Sequence, residues 1–173
     1  MQQLNQQAIS EGKKHFRVLI VDDDDLIREG LVGYLENYHE ADYELSVDAC
    51  ASPAEARQQL AQQSYHLVIS DINMPGEDGF SFVRYVHEAF PGTRTAMITA
   101  YKVEEYVRNA KNTGVFNIIA KTAPFNFDEL STVVNNLLEP ASAFGLQRYL
   151  DPLCQIHQIP VRSSGDIMVV FEA

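Results

Sequence analysis

Four aspartates in succession, Asp22, Asp23, Asp24 and Asp25, close the apolar run Val18-Leu19-Ile20-Val21. Stacked like charges at the end of a buried strand are unfavourable unless something positive is held there. Three more polar residues follow apolar runs in a fixed order: Asp71 after Leu67-Val68-Ile69-Ser70, Thr99 after Ala96-Met97-Ile98, and Lys121 after Ile118-Ile119-Ala120. An open parallel sheet places its ligand site at the carboxyl ends of its strands. If these runs are parallel neighbours, carboxylates suited to a hard cation, one hydroxyl and one ammonium converge on a single crevice.

The elements needed to position them alternate along the chain. Strand β1 is expected over 16–21 and helix α1 over 26–38, with Leu31 and Leu35 at helical spacing and Asp25 as N-cap. Strand β2 covers 43–50, with Leu45 and Val47 alternating, and helix α2 opens at Pro53 behind a Ser52 cap, with Ala56 and Leu60 on its apolar side. Strand β3 covers 66–70, and residues 74–79 form a loop. Helix α3 covers 80–89 and ends at Pro91-Gly92; strand β4 covers 94–98. Helix α4 is expected over 103–112, strand β5 over 115–120, and helix α5 over 128–138, where Leu130, Val133, Val134, Leu137 and Leu138 share one side. Five successive β-α units predict an α/β fold of the flavodoxin-like (βα)5 type: a doubly wound parallel sheet of strand order 2-1-3-4-5, with β2 at an edge.

Composition narrows the class. The chain is 46% hydrophobic and 21% charged, as in a soluble globular protein. Its net charge of -11 argues against nucleic-acid binding by this chain, which would require a basic stripe. Its apolar runs are far shorter than the ~20 residues that span a bilayer. The start of the chain lacks the basic head and apolar core of a signal peptide, so a cytoplasmic protein without membrane association is expected. Cys50 and Cys154 lack metal-ligand spacing and read as ordinary thiols. Residues 1–15 read as a polar tail, and 16–138 as the domain. Residues 139–173, broken by Pro140, Pro152 and Pro160, read as an extension, either packed as a tail or the start of a truncated output domain.

Taken together, Val21-Asp22-Asp23, Ile27-Arg28, Asp71-Ile72-Asn73-Met74-Pro75 with Asp78-Gly79, Thr99-Ala100 and Lys121 resemble a response-regulator receiver domain spanning about 16–138. The resemblance implies that Asp71 accepts a phosphoryl group from a sensor histidine kinase or a phosphotransfer protein. It implies that Asp22 and Asp23 hold Mg2+, and that Thr99 and Lys121 contact the phosphoryl oxygens. Asp71 and the backbone carbonyl of Asn73 complete the implied ligand set, with Asp22 acting directly or through water. The residue types suit these roles. Phosphoryl transfer depends on positioning and charge neutralisation; Mg2+ takes oxygen ligands and keeps several waters; a lysine supplies a mobile point charge. The implied activity is that of a signalling switch, with partner binding or a homodimer through the α4-β5-α5 face as its output.

Some residues depart from the pattern or carry no role in it. Asp24 and Asp25 read as solvated, helix-capping residues, and Asp78-Gly79 as loop geometry, since glycine tolerates positive φ. Where the family has Lys-Pro, this chain has Lys121-Thr122-Ala123-Pro124, so any cis peptide bond falls at Ala123-Pro124. Ile118 stands where the family often has Tyr or Phe, so transmission to the α4-β5-α5 face is expected to differ; Tyr101 and Phe116 are the nearby aromatics. Two other functions compete. A receiver-fold adaptor would bind its partner without phosphorylation. A Mg2+-dependent aspartyl-phosphate phosphatase ranks last, because the richer motif surrounds Asp71 rather than the first strand and no cap domain to hold a substrate is expected.

Overall fold

The computed structural model describes residues 14–38, 43–100 and 117–139. The expected helix α4 at 103–112, Tyr101, Phe116, Cys154, nearly all of the N-terminal tail and all but the first residue of the 139–173 extension lie outside the described residues. The chain forms two compact units, 1–130 and 131–173.

The first unit contains the sheet. Its strands are β1 (Lys14–Val21), β2 (Tyr43–Cys50), β3 (Leu67–Asp71), β4 (Arg94–Thr99) and β5 (Ile118–Ala120), all parallel, in the order β2-β1-β3-β4-β5. The expected fold class and strand order are both observed. Val18–Val21, all of β3 and most of β4 are buried, because helices cover both faces of a doubly wound sheet and leave no strand position for alternation. At the edge, residues 45–49 of β2 are only half-buried. The chain leaves β1 toward β2 on one side and returns to β3 on the other. The crevice created by that reversal therefore opens at the carboxyl ends of β1 and β3.

The described helices are α1 (Asp25–Glu36), α2 (Pro53–Gln62), α3 (Gly79–Ala89) and α5 (Phe127–Leu138). Ser52 caps α2 as expected, accepting from Glu55 N at 3.3 Å. The cap of α1 is Asp24 rather than Asp25: its Oδ1 accepts from Leu26 N (2.9 Å) and Ile27 N (3.2 Å). Asp25 lies in the exposed first turn and pairs with Arg28. Asn126 caps α5 by accepting from Glu129 N at 3.1 Å. The described part of the second unit continues α5, with Val134 and Leu138 buried. No described helix is long and apolar enough to cross a membrane.

The β3–α3 connection departs from expectation at its glycines. Gly79 does not have positive φ; Gly76 does, at +86°. Gly79 is required by proximity. A Cβ there would lie 2.1 Å from the Asp71 carbonyl oxygen and 2.9 Å from Ile72 Cα. The gap is closed by the hydrogen bond from Gly79 N to Ile72 O, 2.8 Å. The start of α3 is thus pressed against the end of β3, where Asp71 sits.

This contact sets an order of sensitivity. Gly79→Ala is expected to lower stability by about 3 kcal/mol, because backbone rather than a flexible side chain must move. Gly76→Ala, strained in φ but with open space around it, is expected to cost about 1–2 kcal/mol. Urea denaturation of the two variants beside the parent checks both the order and the sizes.

Candidate functional site

Asp22 follows the last residue of β1 and is still tied to the sheet, its N–H donating to Cys50 O at 3.2 Å. Its side chain is fully buried. Oδ1 accepts from Asp24 N (3.0 Å) and from Lys121 Nζ (3.1 Å). Oδ2 lies 2.8 Å from Lys121 Nζ, yet it makes no hydrogen bond of acceptable geometry and is held by charge alone. Asp71 ends β3, with Oδ1 accepting from Ile72 N at 2.7 Å and Oδ2 3.0 Å from Lys121 Nζ. Thr99 ends β4, fully buried. Its carbonyl accepts from Lys121 N at 2.6 Å, which fixes where the lysine leaves β5. From there the Lys121 side chain, only 9% exposed, reaches across to both acids.

Asp23 is exposed beside this pair. Carboxylate oxygens of Asp22, Asp23 and Asp71 all lie within 4.8 Å of one another. Asn73 is exposed in the loop that follows Asp71. The structure thus brings Asp22, Asp23, Asp71 and Lys121 together, sets Thr99 at the neighbouring strand end, and keeps Asp24 and Asp25 in the solvated start of α1. Arg28, from the first turns of α1, donates through Nη1 to the Asp22 carbonyl at 2.8 Å. The pattern Ile27-Arg28 was visible in the sequence, but the direction of the guanidinium was not. Ala123-Pro124 is cis. Ile118 is half-buried against the apolar cluster of Ile72, Val83 and Met97. Cys50 is a buried free thiol whose pKa burial pushes up to about 11, as suits an unreactive position.

The electrostatics are unbalanced. Burial raises the Asp22 pKa above the ordinary carboxylate value, and the Lys121 hydrogen bond and charge only partly offset it; the neighbouring Asp71 adds to the rise. For Lys121, burial pushes the pKa down, but Asp22 and then Asp71 outweigh it, and the net shift is upward. One ammonium cannot neutralise the cluster. Among the described residues, three carboxylates against the one cation paired with their oxygens leave a formal charge of -2. A divalent cation fits this surplus, the all-oxygen donor set and the unbonded Asp22 Oδ2.

Comparison with known proteins agrees with this geometry. Residues 18–135 match the response regulator receiver domain, and the chain belongs to that family. It is similar to the oxygen regulatory protein NreC of Staphylococcus carnosus, 34% identical over 109 residues, covering 62% of this chain and 49% of that protein. The chain spans about half, or less, of the length of the curated relatives it matches first. Among solved structures it resembles the chemotaxis response regulator CheY4 of Vibrio cholerae, with a TM-score of 0.61 and 30% identity, covering 72% of this chain and all of that one. It also resembles the response regulator TrrA of Thermotoga maritima, solved in complex with Mg(2+)-BeF, with a TM-score of 0.62 and 30% identity, covering 71% of this chain and 99% of that one.

The pairing has a stability signature in metal-free solution. Lys121→Met leaves two buried carboxylates without their counter-charge, with an expected loss of about 3 kcal/mol near pH 8. Asp22 already has a raised folded-state pKa, so its contribution to stability falls as pH rises from the unfolded value through the folded one. Removing Lys121 extends that window upward, and the variant should recover much of its loss at pH 5. Lys121 itself, with its pKa raised, stabilises the parent below its unfolded value and loses that contribution as pH climbs through the folded one. Denaturation of parent and variant at pH 5, 8 and 10.5 follows both limbs.

Proposed function

We propose that this receiver domain accepts a phosphoryl group on Asp71 from a sensor histidine kinase or a phosphotransfer protein, and that the modification switches partner binding or dimerisation. The observation that carries the reading is the Lys121 ammonium placed between Asp22 and Asp71 in a crevice that, among the described residues, remains short of positive charge. Asp22, Asp23, Asp71 and the Asn73 carbonyl would hold Mg2+. Bound there, Mg2+ supplies the charge that lets an anionic donor approach three carboxylates. TrrA, solved with Mg(2+)-BeF, supports the assignment by similarity.

The chain's own residues account for the rest. In the transfer, a carboxylate oxygen of Asp71 forms a bond to phosphorus. The bond from phosphorus to the donor breaks, and its electron pair leaves with the donor, giving an acyl phosphate. The Ile72 N–H on Oδ1 holds the Asp71 carboxylate in one orientation. Lys121, 3.0 Å from Oδ2, is positioned to follow the charge as it moves from carboxylate to phosphoryl oxygens. The Thr99 hydroxyl at the next strand end is the second donor to those oxygens. Output runs from this end of the sheet to the α4-β5-α5 face, where Ile118 takes the place of an aromatic residue. An adaptor indifferent to phosphorylation gives no reason to bury Asp22 beside Asp71 with one lysine shared between them. Residues 16–138 are the receiver in this reading, 139–173 an extension that is either a packed tail or the start of an output domain, and the setting is cytoplasmic.

Mg2+ at ten times its Kd is expected to stabilise the parent by about 1.4 kcal/mol. Asp23→Asn should remove most of that gain, since Asp23 is the exposed acid of the cluster and the substitution leaves the core intact; thermal melts with and without Mg2+ check this. Intact mass after incubation with acetyl phosphate and Mg2+ tests the main proposal. One phosphoryl adduct is expected, absent in Asp71→Asn and absent without Mg2+. No adduct under conditions that label another receiver would contradict it.

A further inference from the structure

Outside the acidic crevice, Arg57 of α2 makes a bidentate ion pair with Glu77, Nη1 to Oε2 at 2.6 Å and Nη2 to Oε1 at 2.7 Å. Its guanidinium carbon also lies 4.4 Å from the Tyr85 ring centroid and 5.5 Å from that of Phe82, both on α3. The planar fork is held by a carboxylate and by aromatic faces at once, a geometry that lysine cannot reproduce. Both charged partners are about one-third exposed, so the pair alone adds little to global stability. Its position is what matters. Glu77 lies in the loop 72–78 between Asp71 and α3. Met74 is buried in the core, and Asp78 is fixed as the α3 cap by Ser81 N at 3.1 Å. Between them Pro75 and Gly76 are exposed, and Gly76 has φ +86°. Glu77 ties this bend to α2, which is itself anchored by buried Ala56 and Leu60.

We propose that Arg57 is a positioning residue for the phosphoacceptor loop: by gripping Glu77 it fixes the bend that carries Asn73 beside Asp71. The inference rests on the reading of Asp71 and Asn73 given above. Release of the grip leaves the carboxylate cluster in place and loosens one wall of the crevice. Mg2+ affinity then falls, while the phosphorylation rate at saturating Mg2+ changes little.

Three full-length variants test it: Arg57→Met, which keeps the aliphatic stem over the rings; Glu77→Gln; and the reversal Arg57→Glu with Glu77→Arg. Amide hydrogen exchange is read in metal-free protein, and Mg2+ affinity by NMR titration of the Gly76 and Gly79 amides. Both single variants should exchange faster at 72–78 and not in β1 or β4, and should bind Mg2+ roughly tenfold more weakly. The reversal should restore part of both properties. Parental exchange at 72–78 in both single variants would overturn the assignment. So would unchanged Mg2+ affinity, or equal acceleration in β1 and β4, which is the mark of general destabilisation. If the parent takes no phosphoryl group on Asp71, the reading of the site fails on its own, and the exchange rates still decide whether Arg57 holds the loop.

Discussion

A single ammonium, Lys121 Nζ, stands 2.8 Å from Asp22 and 3.0 Å from Asp71, and the arrangement of this end of the sheet follows from it. The three residues come from the ends of β1, β3 and β5. The order β2-β1-β3-β4-β5 makes β1 and β3 neighbours, so Asp22 and Asp71 lie side by side, and the Lys121 side chain reaches past β4 to both. Burying the two acids costs free energy that one lysine does not fully offset, hence the raised pKa of Asp22. A domain selected for stability alone would place apolar groups there. The retained imbalance is what a site built to receive a cation and an anion together would show.

Around that contact the chain places short, specific restraints. Arg28 holds the Asp22 carbonyl, Ile72 N–H holds Asp71 Oδ1, and the missing side chain at Gly79 lets α3 start against the Asp71 carbonyl. Each restraint acts at the end of a strand or just beyond it, where the backbone leaves the sheet ladder. Chemistry that relies on positioning needs such supports more than it needs further reactive groups.

Most of this was legible in the chain. The runs Val18-Val21, Leu67-Ser70 and Ala96-Ile98 are continuous and, Ser70 apart, apolar because both faces of those strands are covered, and the polar residue after each run marks a crevice. The position of the cis bond followed from where the proline stands. Less legible were details set by three-dimensional proximity. Either Asp24 or Asp25 could cap α1; Asp24 does so while also donating its N–H to Asp22 Oδ1, a coupling that spacing does not reveal. Gly76 and Gly79 look alike in a loop, yet one serves a left-handed turn and the other a close approach. Arg57 and Glu77 carry no periodic signal linking them, since they lie on different elements and meet only after α2 and α3 pack.

Carboxyl-detected NMR titration of Asp22, in metal-free protein and again with saturating Mg2+, addresses the charge imbalance most directly. The prediction is a midpoint above the ordinary aspartate value without the ion, moving well below it when Mg2+ is present. An ordinary midpoint that Mg2+ leaves unchanged would mean that Lys121 alone balances the crevice, and would contradict the account of the site.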